Sequence, residues 1–315
     1  MNPLPLLFMG SPNVAVTVLE GLVNAGHRVL AAVTQPDKPA GRGQQLQPPP
    51  VKTFAEARGI PVLQPTQLKQ NQDLIDRLRA YEAQAVVVAA YGRIIPREIL
   101  EMTPWGCLNV HFSLLPKYRG ASCVASAILH GEKETGVTIM RVVDKLDAGP
   151  LLLQEKTPIG PEDTTGEVEA KLAPLGLSLL LKTLEELDAG RLKAREQNET
   201  EATYAPLIQK EEGRIDWNKS APKIKDQIRA FLPWPVAFTH VDKTRVKVYA
   251  SKISEKAAKG KPGEILEISP DGLLVACGEG CLLLTEVQPE SKKRMSASDF
   301  ARGQSSQIKL GKVLE

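Results

Sequence analysis

Six consecutive apolar residues, Ala85-Val86-Val87-Val88-Ala89-Ala90, run straight into the turn Tyr91-Gly92-Arg93 and constrain the fold more than any other stretch. A run with no polar position is a strand covered on both faces, and such strands belong to parallel sheets with helices on either side. The amino-terminal segment agrees. Leu4 to Gly10 reads as an apolar strand, Asn13 to Ala25 as a helix with Val14, Val18, Leu19 and Leu22 near helical spacing, and His27 to Thr34 as a second strand. Strand, helix and strand in that order open a doubly wound, Rossmann-like α/β sheet that is mostly parallel. The first turn, Gly10-Ser11-Pro12, lacks the G-x-G-x-x-G that brings backbone against a pyrophosphate, so a nicotinamide cofactor is disfavoured despite the topology.

A second constraint is Leu108 to Gly120, LNVHFSLLPKYRG. Asn109 and His111 are two apart, so on a strand both side chains leave the same face. Burying an amide and an imidazole unpaired costs about 2 kcal/mol or more. A lone Asn or His in a strand is ordinarily satisfied structurally. An Asn-x-His pair followed at once by a Ser-Leu-Leu-Pro turn and a basic cluster points to use instead. Cys107 to His111 is expected beside Ala85 to Ala90, and the turns that follow the two strands should line one crevice outside their carboxyl ends, where open parallel sheets collect ligands.

Gln35 to Pro50, QPDKPAGRGQQLQPPP, holds five prolines and two glycines and reads as a long irregular loop, with Lys38 and Arg42 in it. Val51 to Arg58 and Asp73 to Ala80 read as helices and Pro61 to Leu63 as a short strand. Gly136 to Val143 is a strand leading into a turn that carries Asp144 and Asp147 and closes with Gly149-Pro150. Leu151 to Lys156 follows as an edge strand, and Asp163-Thr164-Thr165 starts a long helix to Asp188. Gly190 to Leu207 is polar and weakly patterned. Ala221 to Ala230 is a helix, Pro233-Trp234-Pro235 a rigid corner, and short strands at Ala237 to Val241, Arg245 to Ser251, Gly263 to Ser269, Gly272 to Ala276 and Cys281 to Gln288 argue a small, OB-like β-barrel. The expected domains are 1–189, catalytic, and 208–315, the barrel, with 190–207 as linker.

Charge separates these parts. From Ile208 to Glu315 there are 19 Lys and Arg against 14 Asp and Glu, and before it 21 against 23. A basic appendage on a near-neutral body suits a polyanion such as nucleic acid, and equally a solvated face. The four cysteines, at 107, 123, 277 and 281, make no disulfide framework in a chain of 315 residues, and Cys277 and Cys281 have no second ligand pair nearby, so no metal site is expected. The amino terminus has no basic n-region, and no apolar run approaches about 18 residues. These features imply a reducing, cytoplasmic setting without export or membrane insertion.

An amide, an imidazole and a carboxylate converging at the carboxyl ends of parallel strands can handle acyl transfer without a covalent intermediate. Asn109 can donate to an oxygen that becomes negative as a carbonyl carbon turns tetrahedral. His111 as a cation could stabilise the same oxygen, or as a neutral ring help take a proton from an attacking amine. Asp147 would orient the ring. Ser113 is the nearby hydroxyl, but without an elbow motif it reads as a turn residue.

At these residues the chain resembles the 10-formyltetrahydrofolate-dependent formyltransferases. The resemblance rests on Asn109-Val110-His111, Ser113-Leu114-Leu115-Pro116, Arg119-Gly120, Thr135-Gly136-Val137-Thr138, and Asp144 through Leu146-Asp147-Ala148-Gly149. It implies the formyltransferase fold, with 10-formyltetrahydrofolate as co-substrate and the matches Asn109, His111 and Asp147 as the catalytic three. It further implies that the Ser113, Leu114, Leu115 and Pro116 turn contacts the folate, whose pterin would lie against Tyr91, Gly92, Ile94 and Ile95 and against Val142, Val143 and Asp144. The loop TQPDKPAGRG, and Thr203-Tyr204-Ala205-Pro206 ahead of Lys210-Glu211-Glu212-Gly213-Arg214, resemble the branch that formylates methionyl-initiator tRNA. There Lys38, Arg42 and Lys210 would contact tRNA, with the barrel lying along it, and neither DNA nor a membrane would be a partner. Two other readings stand beside this one. A formyltransferase acting on an amino sugar nucleotide would need the same three residues but not the Arg42 loop, and a tRNA-binding protein with a vestigial site would need only the loop and barrel.

Overall fold

The computed structural model describes residues 2–40, 45–256, 260–304 and 308–315. Its contacts divide the chain into two units, one of Met1–Cys123, Glu134–Pro158 and Glu169–Pro206, the other of Val124–Lys133, Ile159–Val168 and Leu207–Glu315.

The first unit begins with β1 (Pro5–Gly10), α1 (Asn13–Asn24), β2 (Arg28–Val33), β3 (Lys38–Ala40), β4 (Gln45–Gln47), α2 (Pro50–Ala57), β5 (Val62–Leu63) and α3 (Gln72–Arg79). It continues through β6 (Ala85–Ala89), α4 (Arg97–Leu100) and β7 (Cys107–His111). After α5 (Cys123–Leu129), which lies almost wholly in the second unit, come β8 (Glu134–Arg141), β9 (Leu151–Pro158) and most of α6 (Thr165–Asp188). Seven strands form one sheet in the order β5-β2-β1-β6-β7-β8-β9. The first five are parallel, and β8 and β9 run antiparallel.

β1 and β6 lack polar positions because helices cover both of their faces. Leu7, Met9, Val86 and Val88 share a buried cluster with Leu74, Ile75 and Leu78 of α3 and Ile99 and Leu100 of α4. On the other face, Gly176 of α6 comes against Val110 and Val137, and Gly21 of α1 against Leu177 of α6. α3 is closed at its start by Asn71, whose side chain accepts from Leu74 N–H at 3.1 Å, and carries Arg77 and Arg79 in its last turn, where cations suit the helix dipole.

The segment expected to be irregular, Gln35 to Pro50, contains a ribbon. Lys38 pairs with Gln47 and Ala40 with Gln45. Arg42 lies outside the described residues. The base of the ribbon is pinned by Asp37, which accepts from Gln64 Nε2 at 2.7 Å and Lys52 Nζ at 2.8 Å; these bonds hold its carboxyl below the usual carboxylate range.

The second unit contains α7 (Ala221–Ala230), β10 (Phe238–Val241), β11 (Thr244–Ser254), β12 (Ile265–Ser269), β13 (Gly272–Ala276), β14 (Cys281–Pro289), β15 (Met295–Ser296) and α8 (Ala297–Gly303). Its antiparallel sheet runs β10-β11-β14-β13-β12, with β15 on β14. Ile224 and Ile228 of α7 and Phe300 and Ala301 of α8 join Val246, Val248, Val275, Leu282 and Leu284 in one buried core. Residues 311–315 bridge the two edges. Ile265 N–H donates to Lys312 O and Leu314 N–H to Gly263 O, both at 2.8 Å, while His240 and Glu315 exchange backbone bonds of 2.8 and 3.0 Å. That segment closes the barrel expected from the strand spacing.

No helix among the described residues is long and apolar enough to cross a membrane. Leu314 is buried in the closing segment. Leu314→Ala is expected to lower stability by about 2–5 kcal/mol, read from urea unfolding, and an unchanged midpoint would show that the segment does not hold the barrel shut.

Candidate active site

β7 lies where the sheet changes from parallel to antiparallel, so Asn109 stands beside Val88 of β6 and Met140 of β8, and His111 beside Thr138. Asn109 is half-buried, and its amide makes no hydrogen bond among the described residues. His111 is buried. Its Nε2 is 3.1 Å from the Tyr118 carbonyl and its Nδ1 is 3.8 Å from Asp147 Oδ2. Both ring nitrogens therefore face oxygens. Nε2 is within hydrogen-bond distance of its oxygen, and Nδ1 is beyond it from Asp147.

Because β8 runs antiparallel to β7, the turn that carries Asp147 leaves from the wrong end of β7: Val142 N–H bonds the Cys107 carbonyl at 2.8 Å. The turn then folds back until Asp147 Oδ2 accepts from Gly120 N–H at 2.8 Å. Asp147 holds a left-handed backbone with φ of 45°, which costs a residue bearing a Cβ about 1 kcal/mol or more. Gly149 allows the fold-back, since a Cβ there would stand 1.8 Å from the Arg141 carbonyl oxygen.

The Ser-Leu-Leu-Pro turn is tied down by Thr138, which is fully buried. Its hydroxyl donates to Ser113 O at 2.7 Å and accepts from Leu115 N–H and from Gln154 Nε2. Gln154 Nε2 also reaches the Leu115 carbonyl at 2.7 Å. Ser113 Oγ donates to Lys117 O at 2.7 Å, the work of a turn residue. Leu114 lies against Gly136, Leu115 is buried with Met140 and Leu151, and the Pro116 carbonyl accepts from Thr203 N–H.

Tyr91 and Ile95 share a buried cluster with Val142, so the turns after β6 and β8 adjoin. The buried Tyr91 hydroxyl has no partner among the described residues, and burial raises its pKa. The Tyr91 carbonyl accepts from Gln35 Nε2 at 2.8 Å, and Gly92 follows with φ of 72°. Ile94 is 90 % exposed, and Val143 and Leu146 are also exposed. Asp144 faces Arg97 electrostatically. Lys38 Nζ donates to Gln35 Oε1 at 2.6 Å, and Lys210 is exposed.

Sequence reasoning did not anticipate the residues behind the site. The polar stretch before the barrel lies along the first unit. Leu151 and Arg195 exchange backbone bonds, Arg119 N–H donates to Thr203 O and Ala205 N–H to Arg119 O. Arg119 is fully buried. Its guanidinium pairs with both carboxylate oxygens of Glu199 and with Gln197 Oε1. Lys145 Nζ also holds Glu199, at 2.6 Å. Isolated polar residues in a polar stretch carry no periodicity, so only the motif residue Arg119 offered any signal. No group of His, Cys, Asp or Glu among the described residues is arranged to hold a metal ion.

Sequence and structure comparisons converge on one group of proteins. Residues 5–184 match the family described as formyl transferase, and residues 207–305 its C-terminal domain. The methionyl-tRNA formyltransferase of Moorella thermoacetica is 47% identical over 298 residues, 95% of this chain and 96% of that one. That of Halalkalibacterium halodurans is 44% identical, with 98% of each chain covered. Among solved structures, the sugar 3N-formyl transferase WlaRD superposes with a TM-score of 0.66 at 20% identity, over 93% of this chain and all of that one. HypX from Aquifex aeolicus in complex with tetrahydrofolic acid gives a TM-score of 0.66 at 18% identity, and this chain spans 47% of its length. At those identities the structures bear on the fold alone. A mostly parallel α/β unit followed by an antiparallel barrel, over this length of matched sequence, defines a group-transfer enzyme. The chain belongs to the formyl transferase family.

The Arg119 and Lys145 cations beside Glu199 hold its carboxyl down at about 2, against an ordinary 4.5. A depressed carboxyl stabilises the fold fully above its unfolded value and loses that contribution as pH falls toward its folded value. Stability is therefore expected to decline between about pH 5 and pH 2 with a component that Glu199→Gln removes. Urea unfolding of both proteins across that range checks it, and parallel curves would exclude the pairing.

Proposed function

We propose that this enzyme transfers the formyl group of 10-formyltetrahydrofolate to the amino group of methionine esterified to initiator tRNA, for translation initiation. The observation that carries the reading is the 47% identity to a methionyl-tRNA formyltransferase across both units, where a likeness confined to the catalytic part would leave the acceptor open. We assign residues 1–189 to catalysis, 208–315 to tRNA binding and 190–207 to the connection between them. Lys38, Arg42 and Lys210 are assigned to tRNA contacts and the cytoplasm to the protein's location, where charged initiator tRNA and reduced folate are both found.

The chemistry follows from the unspent groups of β7. The amine attacks the formyl carbon, and the carbonyl oxygen gains negative charge. The free Asn109 amide donates to that oxygen, as an oxyanion-hole group does. His111, facing the Tyr118 carbonyl and Asp147, stands beside the same oxygen, where as a cation it would add positive charge and as a neutral ring it would help take the proton from the attacking amine. Collapse expels N10 of the folate. The nitrogen that is formylated loses one proton and N10 gains one, so no proton is consumed overall. Ile94 and Val143 would hold the pterin, and the Ser113, Leu114, Leu115 and Pro116 turn would contact the folate.

Formylation of methionyl-tRNA with labelled 10-formyltetrahydrofolate, with an amino sugar nucleotide as competing acceptor, tests the assignment. Label entering the sugar nucleotide in preference to tRNA would overturn it. Asn109→Ala should slow turnover roughly 10²- to 10³-fold with folate binding little changed, and Asp147→Asn should also be severely impaired. Either variant within about threefold of the parent, when chemistry limits the rate, would remove that residue from the mechanism. Arg42→Ala should lower efficiency on methionyl-tRNA by about ten- to a hundredfold, with folate affinity and thermal stability unchanged. Arg42→Lys should recover part of the loss, since a point charge cannot reproduce a planar fork. Steady-state kinetics with varied tRNA reads both, and unchanged tRNA kinetics would detach the β3–β4 ribbon from the acceptor.

A further inference from the structure

The two family matches stop at residue 184 and resume at residue 207. Gln197 lies between them, and its amide uses all four of its hydrogen-bonding positions. Nε2 donates to the carbonyls of Asp147 and Gly149, each at 2.7 Å. Oε1 accepts from Arg119 Nε at 3.1 Å and from its NH2 at 2.8 Å. Turning the amide over would set its NH2 against guanidinium donors and its oxygen against two carbonyls, so the orientation is determined.

The consequence falls on Asp147. Its left-handed backbone is held at the carbonyl by Gln197, while its carboxylate is held by the N–H of Gly120, the residue after Arg119. Arg119 is itself fixed, being fully buried, paired with Glu199 through two nitrogens and bonded through its backbone to Thr203 and Ala205. Gln197 and Gly120 thus hold Asp147 at two points, its carbonyl and its carboxylate, and Arg119 braces Gln197. We propose that Gln197, braced by Arg119, is a positioning residue that sets the approach of Asp147 to His111 and through it the rate of formyl transfer; this rests on the role assigned above to Asp147. Gln197 touches no reacting atom, and a misplacement of about 1 Å at a catalytic group is enough to cost about 10²-fold in rate.

The test is a double-mutant cycle on the full-length enzyme, with kcat expressed per folate-binding site so that inactive protein does not count. Gln197→Ala should lower kcat by about ten- to a hundredfold while KM for tRNA and for folate stay within about threefold. Gln197→Glu keeps the size and the acceptor for Arg119 but turns an oxygen toward the Asp147 and Gly149 carbonyls. It should also slow turnover, and it carries the test if the alanine variant does not fold. In an Asp147→Asn background, Gln197→Glu should add little, because the group it positions has already lost its function. A general structural defect would instead multiply through both backgrounds, and that result would overturn the proposal. So would parental turnover in Gln197→Glu beside a slow Asp147→Asn. Parental turnover in Asp147→Asn itself would remove the reading on which the proposal rests, a failure that the single variant identifies by itself.

Discussion

Asp147 can face His111 only because its turn is pulled back across β7. The turn starts at Val142, bonded to Cys107 at the amino end of that strand, and it must deliver a carboxylate to the carboxyl end. It does so with Asp147 in a left-handed conformation that costs about 1 kcal/mol or more, and the Gly120 N–H and the Gln197 amide supply the bonds that hold it there. Gly149 permits the return by letting backbone meet backbone at the Arg141 carbonyl. The candidate site therefore depends less on the strand that bears its histidine than on the loop segments that brace the carboxylate.

β7 contributes in another way. It is the last parallel strand, with β8 antiparallel beside it, and Asn109 stands in a row between Val88 and Met140. An amide that bonds nothing among the described residues, on a row otherwise apolar, retains its full donor capacity for a ligand. Thr138, two positions further along and opposite His111, is spent on the Ser-Leu-Leu-Pro turn and on Gln154, taking part in three hydrogen bonds while fully buried. Thr138 builds the wall of the site, and Asn109 on the adjacent strand is left free to act.

Each unit also carries a device suited to a large acceptor. In the first, the β3–β4 ribbon rises from a base clamped by Asp37, Lys52 and Gln64. In the second, the barrel carries the chain's excess of Lys and Arg and is closed by residues 311–315. A formyl donor of small-molecule size needs neither feature, whereas the tRNA acceptor proposed above would offer phosphates to both.

The buried strands, the Asn-x-His pair and the barrel strands were legible in the sequence, because burial on both faces removes alternation, a polar pair on one strand face breaks the apolar pattern, and Pro-Gly or Asp-Gly turns mark strand ends. The ribbon in Gln35 to Pro50 was not, since five prolines and a polar composition hide a two-stranded pairing from any propensity argument. Asp147 was readable as a turn carboxylate able to orient the histidine, and the direction from which it reaches His111 followed only once β8 proved antiparallel. The supporting network was beyond local reading. Its bonds join Gly120 to Asp147, Asp147 to Gln197 and Arg119 to Gln197, pairs 27, 50 and 78 residues apart. Sequence by itself determined which segments are strands and helices, because burial imposes a period on neighbouring residues. Only the tertiary structure decided which polar groups meet, because a hydrogen bond between distant loops leaves no period in the chain.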